Sequence, residues 1–325
     1  MSVSVIPTRS KYKMRRSVPS PLTLSAAAPL LAACGGGGSG SQTTSNPYGT
    51  YEAPSSAYTP PGAPDPLAFT LQQALVDPYW VQSLRNGDAD TISSVVSASS
   101  REFVYVFPDA QPDYYTEPEN TAGWQPASAA VQAAYREIFT YFERIVNVDF
   151  SEGTSLDGNN VIAISQTNQA ENVLGFAYYP NLTSLLGSDI LISNNYDNPT
   201  KTGSSTNIDY ETLVHELGHA LGLKHPFETE TGSTVTLNAA EDNSTWTVMT
   251  YTLKPGDYDG EFRAFDLMAL TELYGVNPNY SAGDDTYLFK SGSGTFVVDG
   301  GGDDTINAST LSQAVTIDLR AGGHS

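Results

Sequence analysis

The sequence predicts an α+β fold, or more openly an α/β layer, in which one sheet packs on two helices. Three observations predict it: short runs of strand length, two longer runs with helical spacing, and the order in which they alternate. REFVYVF (101–107) is the first strand signal, with Phe103, Tyr105 and Phe107 on one face of an alternating run. In PASAAVQAAYREIFTYFERI (126–145), Pro126 suits a first helical turn, and Val131, Tyr135, Ile138, Phe142 and Ile145 recur at helical spacing. NVIAIS (160–165) is apolar on both faces, as a central strand is, and SDILISN (188–194) reads as a further strand. A second helix follows, with Asp209 as its N-cap and Glu211 in its first turn. No breaker but Gly218 interrupts 212–221. Gly222 can take the left-handed conformation that ends it.

The chain of 325 residues has room for one large domain or two smaller ones. Its formal charge of −21 excludes nucleic acid as a partner, because phosphates repel such a surface, and suits a protein that collects hard cations. A monomer is expected. The N-terminus breaks the acidic balance: Arg9, Lys11, Lys13, Arg15 and Arg16 precede a short apolar run, PLTLSAAAPLLAA (21–33), too short to span a bilayer. Basic flank, apolar core and small residues at the end describe a secretory signal over 1–33. It ends in LAAC (31–34), which resembles a bacterial lipoprotein signal and implies lipidation of Cys34, the sole cysteine. The expected location is the outward-facing cell envelope, with secretion into the medium as the alternative. Loss of five basic residues with the leader leaves ten against 36 acidic ones. Residues 34–66, rich in Gly, Ser and Pro, form a flexible tether.

HELGHALGLKHP (215–226) holds three of the four histidines. His215 and His219 are four apart, so their imidazoles lie one turn apart on one helix face and can reach one tetrahedral ion. His225, beyond the turn at Gly222, supplies a third nitrogen. Three neutral nitrogens leave a position open for water, the mark of a catalytic zinc site. Glu216 sits beside them, suited to hold that water rather than the metal. Further on, TWTVMTY (245–251) places Met249 in an aromatic, β-branched setting.

The combination HExxHxxGxxH plus a later methionine resembles the metzincin metalloproteases, whose methionine turn lies beneath zinc. Pro226, Tyr251 and FDLMALTELYGVNP (265–278) narrow the resemblance to the serralysins. LGFAYYP (174–180) is similar to the segment bordering that family's substrate cleft, and SDILISNN (188–195) to its edge strand. The resemblance covers roughly 67–318 and implies a mixed twisted sheet on two long helices in a catalytic domain at 67–278. It implies a zinc endopeptidase acting on extracellular proteins. Zinc on His215, His219 and His225 activates a water, Glu216 is general base, Tyr251 stabilises the oxyanion and Met249 supports the site by packing.

DGGGDDTIN (299–307) is similar to the calcium-binding nonapeptide of RTX β-rolls, with Asp299 in place of the first glycine. It implies calcium near Gly300, Gly302, Asp303 and Asp304, in a partial roll over 279–325. GDDTY (283–287) is a second acidic loop. One repeat forms half a calcium shell, which favours reading the chain as part of a longer protein. The alternative function is a lipid-anchored, calcium-binding surface or adhesion protein on a metalloprotease-like fold. Intact Glu216 and the scarcity of repeats count against it.

Overall fold

The computed structural model describes residues 11–15, 79–87, 92–93, 96, 101–182, 184–202, 205–254, 259–288 and 297–312. Cys34, the tether, the apolar leader segment, the strand-like 314–319 and His324 lie outside the described residues. In chain order the elements are β1 (Lys11–Arg15), α1 (Tyr79–Leu84), β2 (Glu102–Val106), α2 (Pro118–Thr121), β3 (Gln125–Pro126) and α3 (Ala129–Phe142). They continue with β4 (Asp149–Glu152), β5 (Val161–Thr167), β6 (Val173–Tyr178), β7 (Ile190–Ser193), β8 (Lys201–Thr202) and β9 (Ser205–Thr206). Last come α4 (Ile208–Ala220), α5 (Ala264–Tyr274), β10 (Thr286–Leu288) and β11 (Thr305–Asn307).

The main sheet runs β1-β6-β7-β5-β2-β4, with β3 paired to β5. Strands β4, β2, β5 and β7 are parallel neighbours, whereas β6 and β1 run antiparallel at one side, so the sheet is mixed. Every residue of β5, β6 and β7 is buried, because both faces of the sheet are covered. The alternation of side chains divides them between two cores. Ala177, Ile190 and Ile192 join the large core under α3, α4 and α5, while Phe176, Tyr178 and Leu191 join Tyr115 and Leu186 on the opposite face. Thus the α+β layer with two long helices is the observed fold.

Three local expectations are corrected. Pro126 does not open the first long helix: it pairs with Ser165 in β3, and the helix starts at Ala129, where the Ser128 hydroxyl accepts from the Val131 amide at 3.3 Å. Proline lacks a donor yet can offer its carbonyl to a short strand, and a serine cap satisfies a helix start better. Ile145, also expected on that helix, lies beyond its end but is buried in the same core. The SDILISNN segment is not an edge, since β7 lies between β5 and β6. Instead β6, from the LGFAYYP segment, lies outside it, and the backbone of Lys11–Arg15 pairs antiparallel along its far side.

Candidate metal centre

Helix α4 begins with Asn207, not Asp209, as its cap: the Asn207 carboxamide oxygen accepts from the Tyr210 amide at 3.0 Å. Asp209 and Glu211 lie in the first turn, where carboxylates complement the positive end of the helix dipole. One face of the helix then carries His215, Glu216 and His219, all fully buried. The helix stops where Gly222 takes φ 102° and its amide donates to His219 O at 2.9 Å. Residues after the stop are held against the end of α1: Asn86 N donates to Gly222 O at 2.9 Å and Lys224 N to Leu84 O at 2.6 Å. That clamp delivers His225.

The three imidazoles converge. His215 Nε2 and His219 Nε2 lie 3.2 and 3.1 Å from His225 Nε2. Tetrahedral bonds of about 2.0–2.1 Å from zinc separate nitrogens by roughly 3.3 Å, so the donor set fits such an ion. The far nitrogens fix the tautomer. His215 Nδ1 bonds Val248 O at 2.7 Å, His219 Nδ1 bonds Leu223 O at 2.7 Å, and His225 Nδ1 bonds Glu228 Oε2 at 3.1 Å. With each Nδ1–H donating outward, each Nε2 keeps its lone pair for the centre. Burial holds the His215 pKa down at about 4, and burial followed by the neighbouring imidazoles holds His219 well below its ordinary value. His225 is likewise depressed by burial. Neutral imidazole is the ligating form.

Glu216 faces β6, where a Cβ on Gly175 would come within 3.2 Å of its Cγ and Oε1. A larger residue there would press on the Glu216 side chain. Met249 is fully buried under the helix, and a Cβ on Gly218 would collide with its Sδ. So the apparent breaker at Gly218 is the seat of the methionine. Tyr251, half-buried, packs its ring 4.5 Å from that of His225 and 6.0 Å from that of His215. The structure therefore brings His215, Glu216, His219, His225, Met249 and Tyr251 together.

Several supporting residues gave no sequence signal. Asp266 on α5 accepts from Val248 N at 2.8 Å and Thr247 Oγ1 at 2.6 Å, thereby orienting the carbonyl that holds His215. Lys224 is fully buried, and its Nζ donates to the carbonyls of Glu228 (2.7 Å), Val235 (3.0 Å) and His225 (3.3 Å). Burial lowers its pKa to about 8, and those carbonyls pin the loop after His225. Glu230 ties the same loop down twice, accepting from Tyr179 Oη at 2.8 Å and Asn86 Nδ2 at 3.0 Å. Each link spans residues distant in sequence or depends on loop shape.

Asp285, Asp299 and Asp304 place carboxylate oxygens within 4.8 Å of one another, so Asp304 of the nonapeptide gains Asp285 and Asp299 as acidic neighbours. Parallel pairing of β10 with β11 is the reason, because it lays the 283–285 loop beside 303–304, with Asp285 N donating to Asp304 Oδ1 at 2.9 Å.

Residues 108–263 match the metallopeptidase family M12 model. The chain is 27% identical to metallopeptidase AprA of Pseudomonas marginalis over 274 residues, 75% of this chain and 57% of that protein. It is 36% identical to serralysin of Proteus mirabilis over 139 residues, 35% of this chain and 28% of that protein. Serralysin G of Dickeya chrysanthemi is 27% identical over 287 residues, 79% of this chain and 58% of that protein. The chain spans less than two thirds of the length of each.

Proposed function

We propose that the chain is a serralysin-like metzincin, a zinc-dependent endopeptidase that hydrolyses peptide bonds in extracellular proteins. The observation that carries this reading is the convergence of three Nε2 atoms on imidazoles whose Nδ1 atoms bond outward to Val248 O, Leu223 O and Glu228 Oε2. His215, His219 and His225 would hold zinc, which when bound supplies Lewis acidity and a water acidified towards neutrality. Glu216 takes the proton of the attacking water and passes it to the leaving amine. Burial of its carboxylate beneath β6 restricts competing solvent. The Tyr251 hydroxyl donates to the developing oxyanion. Met249 touches no reacting atom and supports the ligand helix through Gly218.

Two finer readings accompany this one. Asp285, Asp299 and Asp304 form a calcium site of hard oxygen donors. Cys34 carries the lipid that anchors the enzyme at the cell envelope, with 34–66 as its tether; the sequence order LTLSAAAPLLAAC supports that reading. Native mass spectrometry of the purified protein reads zinc content and N-terminal lipid together. One zinc per chain is expected, with casein cleavage lost to ortho-phenanthroline and regained with zinc. Protein that holds zinc yet cleaves no polypeptide would return the chain to the adhesion reading.

Tyr251→Phe removes one hydroxyl and leaves the ring contacts with His215 and His225 in place. kcat is expected to fall about 10- to 1000-fold with little change in Tm. An unchanged kcat would make Tyr251 a packing residue.

A further inference from the structure

We infer that Phe227 is a specificity-determining residue, the apolar wall against which a large apolar side chain next to the scissile bond is placed. The inference rests on the endopeptidase reading above. Phe227 is one of only four large apolar side chains that are exposed among the described residues, with 37% of its surface open. Its position gives that exposure meaning. One face of the ring lies nearly parallel to the His225 imidazole, at 6° and 5.1 Å between centroids. The Tyr251 ring lies 5.1 Å away at 54°. Phe227 thus touches both a candidate zinc ligand and the candidate oxyanion donor while keeping surface towards solvent. It therefore borders the centre through these two rings.

The ring is also held in place, as a recognition surface must be. Pro226 fixes the backbone before it, and the Pro226 carbonyl accepts from Leu237 N at 2.8 Å. Glu228 follows and is tied to His225 Nδ1, while Lys224 Nζ holds the Glu228 carbonyl. A second segment also reaches the histidines. Tyr179 at the end of β6 puts its ring 5.7 Å from that of His219, and the loop beyond it exposes Leu182 and Leu185. Tyr179 Oη and Glu230 Oε1 join the two loops at 2.8 Å. Three of the four exposed large apolar side chains therefore lie on the two segments that frame the histidines. A rigid aromatic ring of this kind favours an apolar or aromatic substrate group and gains nothing from a polar one.

The test uses the zinc-loaded full chain and two sets of quenched fluorescent peptides, identical except for Phe or Leu against Ser or Asp beside the cleaved bond. Mass spectrometry maps each cut. Wild type is expected to favour the apolar set, and Phe227→Ala to reduce that preference, as a ratio of kcat/KM values, about 10- to 100-fold. Phe227→Leu should retain most of the preference. Zinc affinity, measured by competition with a chromophoric chelator, should stay within about threefold of wild type in both variants. An equal fall for both peptide sets, or a large loss of zinc affinity, would overturn the inference and make Phe227 a cover for His225. Wild type that cuts neither set would sink the endopeptidase reading, and this inference with it; wild type that cuts both equally sinks the inference alone.

Discussion

Glu216→Gln is expected to lower kcat by about 100- to 10,000-fold while the purified variant keeps one zinc per chain. Glu216 is on the same buried helix face as His215 and His219, but the nitrogens that converge are those of the three histidines. Its carboxylate sits against β6 at Gly175, and its proposed role is to take a proton from a water at the centre. Glutamine has the same shape and keeps one oxygen, so the close passage of β6 is undisturbed. What it loses is the ability to take a proton near neutral pH. A residue that moves a proton without holding the metal loses turnover and nothing else. Zinc content by atomic emission, Tm and kcat on one casein-derived peptide separate the cases. A zinc-free variant would make Glu216 a ligand, and a variant with wild-type turnover would remove it from the mechanism.

The parts of the centre that were legible in the sequence are those set by helical periodicity. His215 and His219 share a face because four residues make about one turn, and Gly222 predicts where the chain can leave the helix. Strand positions were legible too: REFVYVF and SDILISN each contain a strand, and NVIAIS covers most of β5, which runs on to Thr167. Strand order was not. Nothing in SDILISNN distinguishes an inner from an outer position, because β6 and β7 are equally buried. Caps failed for a local reason: Asn207 and Asp209 both have short side-chain acceptors, and only the backbone decides which one stands outside the helix. Asp266 was hidden because its task is to hold a loop 18 residues away in sequence. Lys224 was hidden because a buried lysine bound to carbonyls looks in sequence like any surface lysine.

Arg263→Met is expected to destabilise the fold by about 3–5 kcal/mol at pH 8. Arg263 and Glu211 are 2% and 1% exposed, with Arg263 Nη2 3.0 Å from Glu211 Oε1. Gly260 N satisfies the other carboxylate oxygen at 3.0 Å, and Arg263 Nε donates to Ser244 O at 3.1 Å. The pair thus links the first turn of α4 to the start of α5 and to the segment leading into Met249. Removing the guanidinium leaves a carboxylate in a site that burial already disfavours, where its pKa stands at about 7 even with the partner present. The sign of the pH effect follows. A folded-state pKa raised above the unfolded value stabilises the fold at low pH, and that contribution is lost as pH rises through the folded value. Without Arg263 the folded value rises further above about 7, so the penalty grows with pH up to and through that value; it is larger at pH 8 than at pH 5, where Glu211 holds a proton. Adding Glu211→Gln to Arg263→Met should recover part of the loss at pH 8, because the stranded charge is gone. Guanidinium unfolding of the zinc-free protein at the two pH values measures this without interference from metal binding. A loss below about 1 kcal/mol at pH 8 would show that water reaches Glu211 once Arg263 is removed, and that the pair does not hold the two helices together.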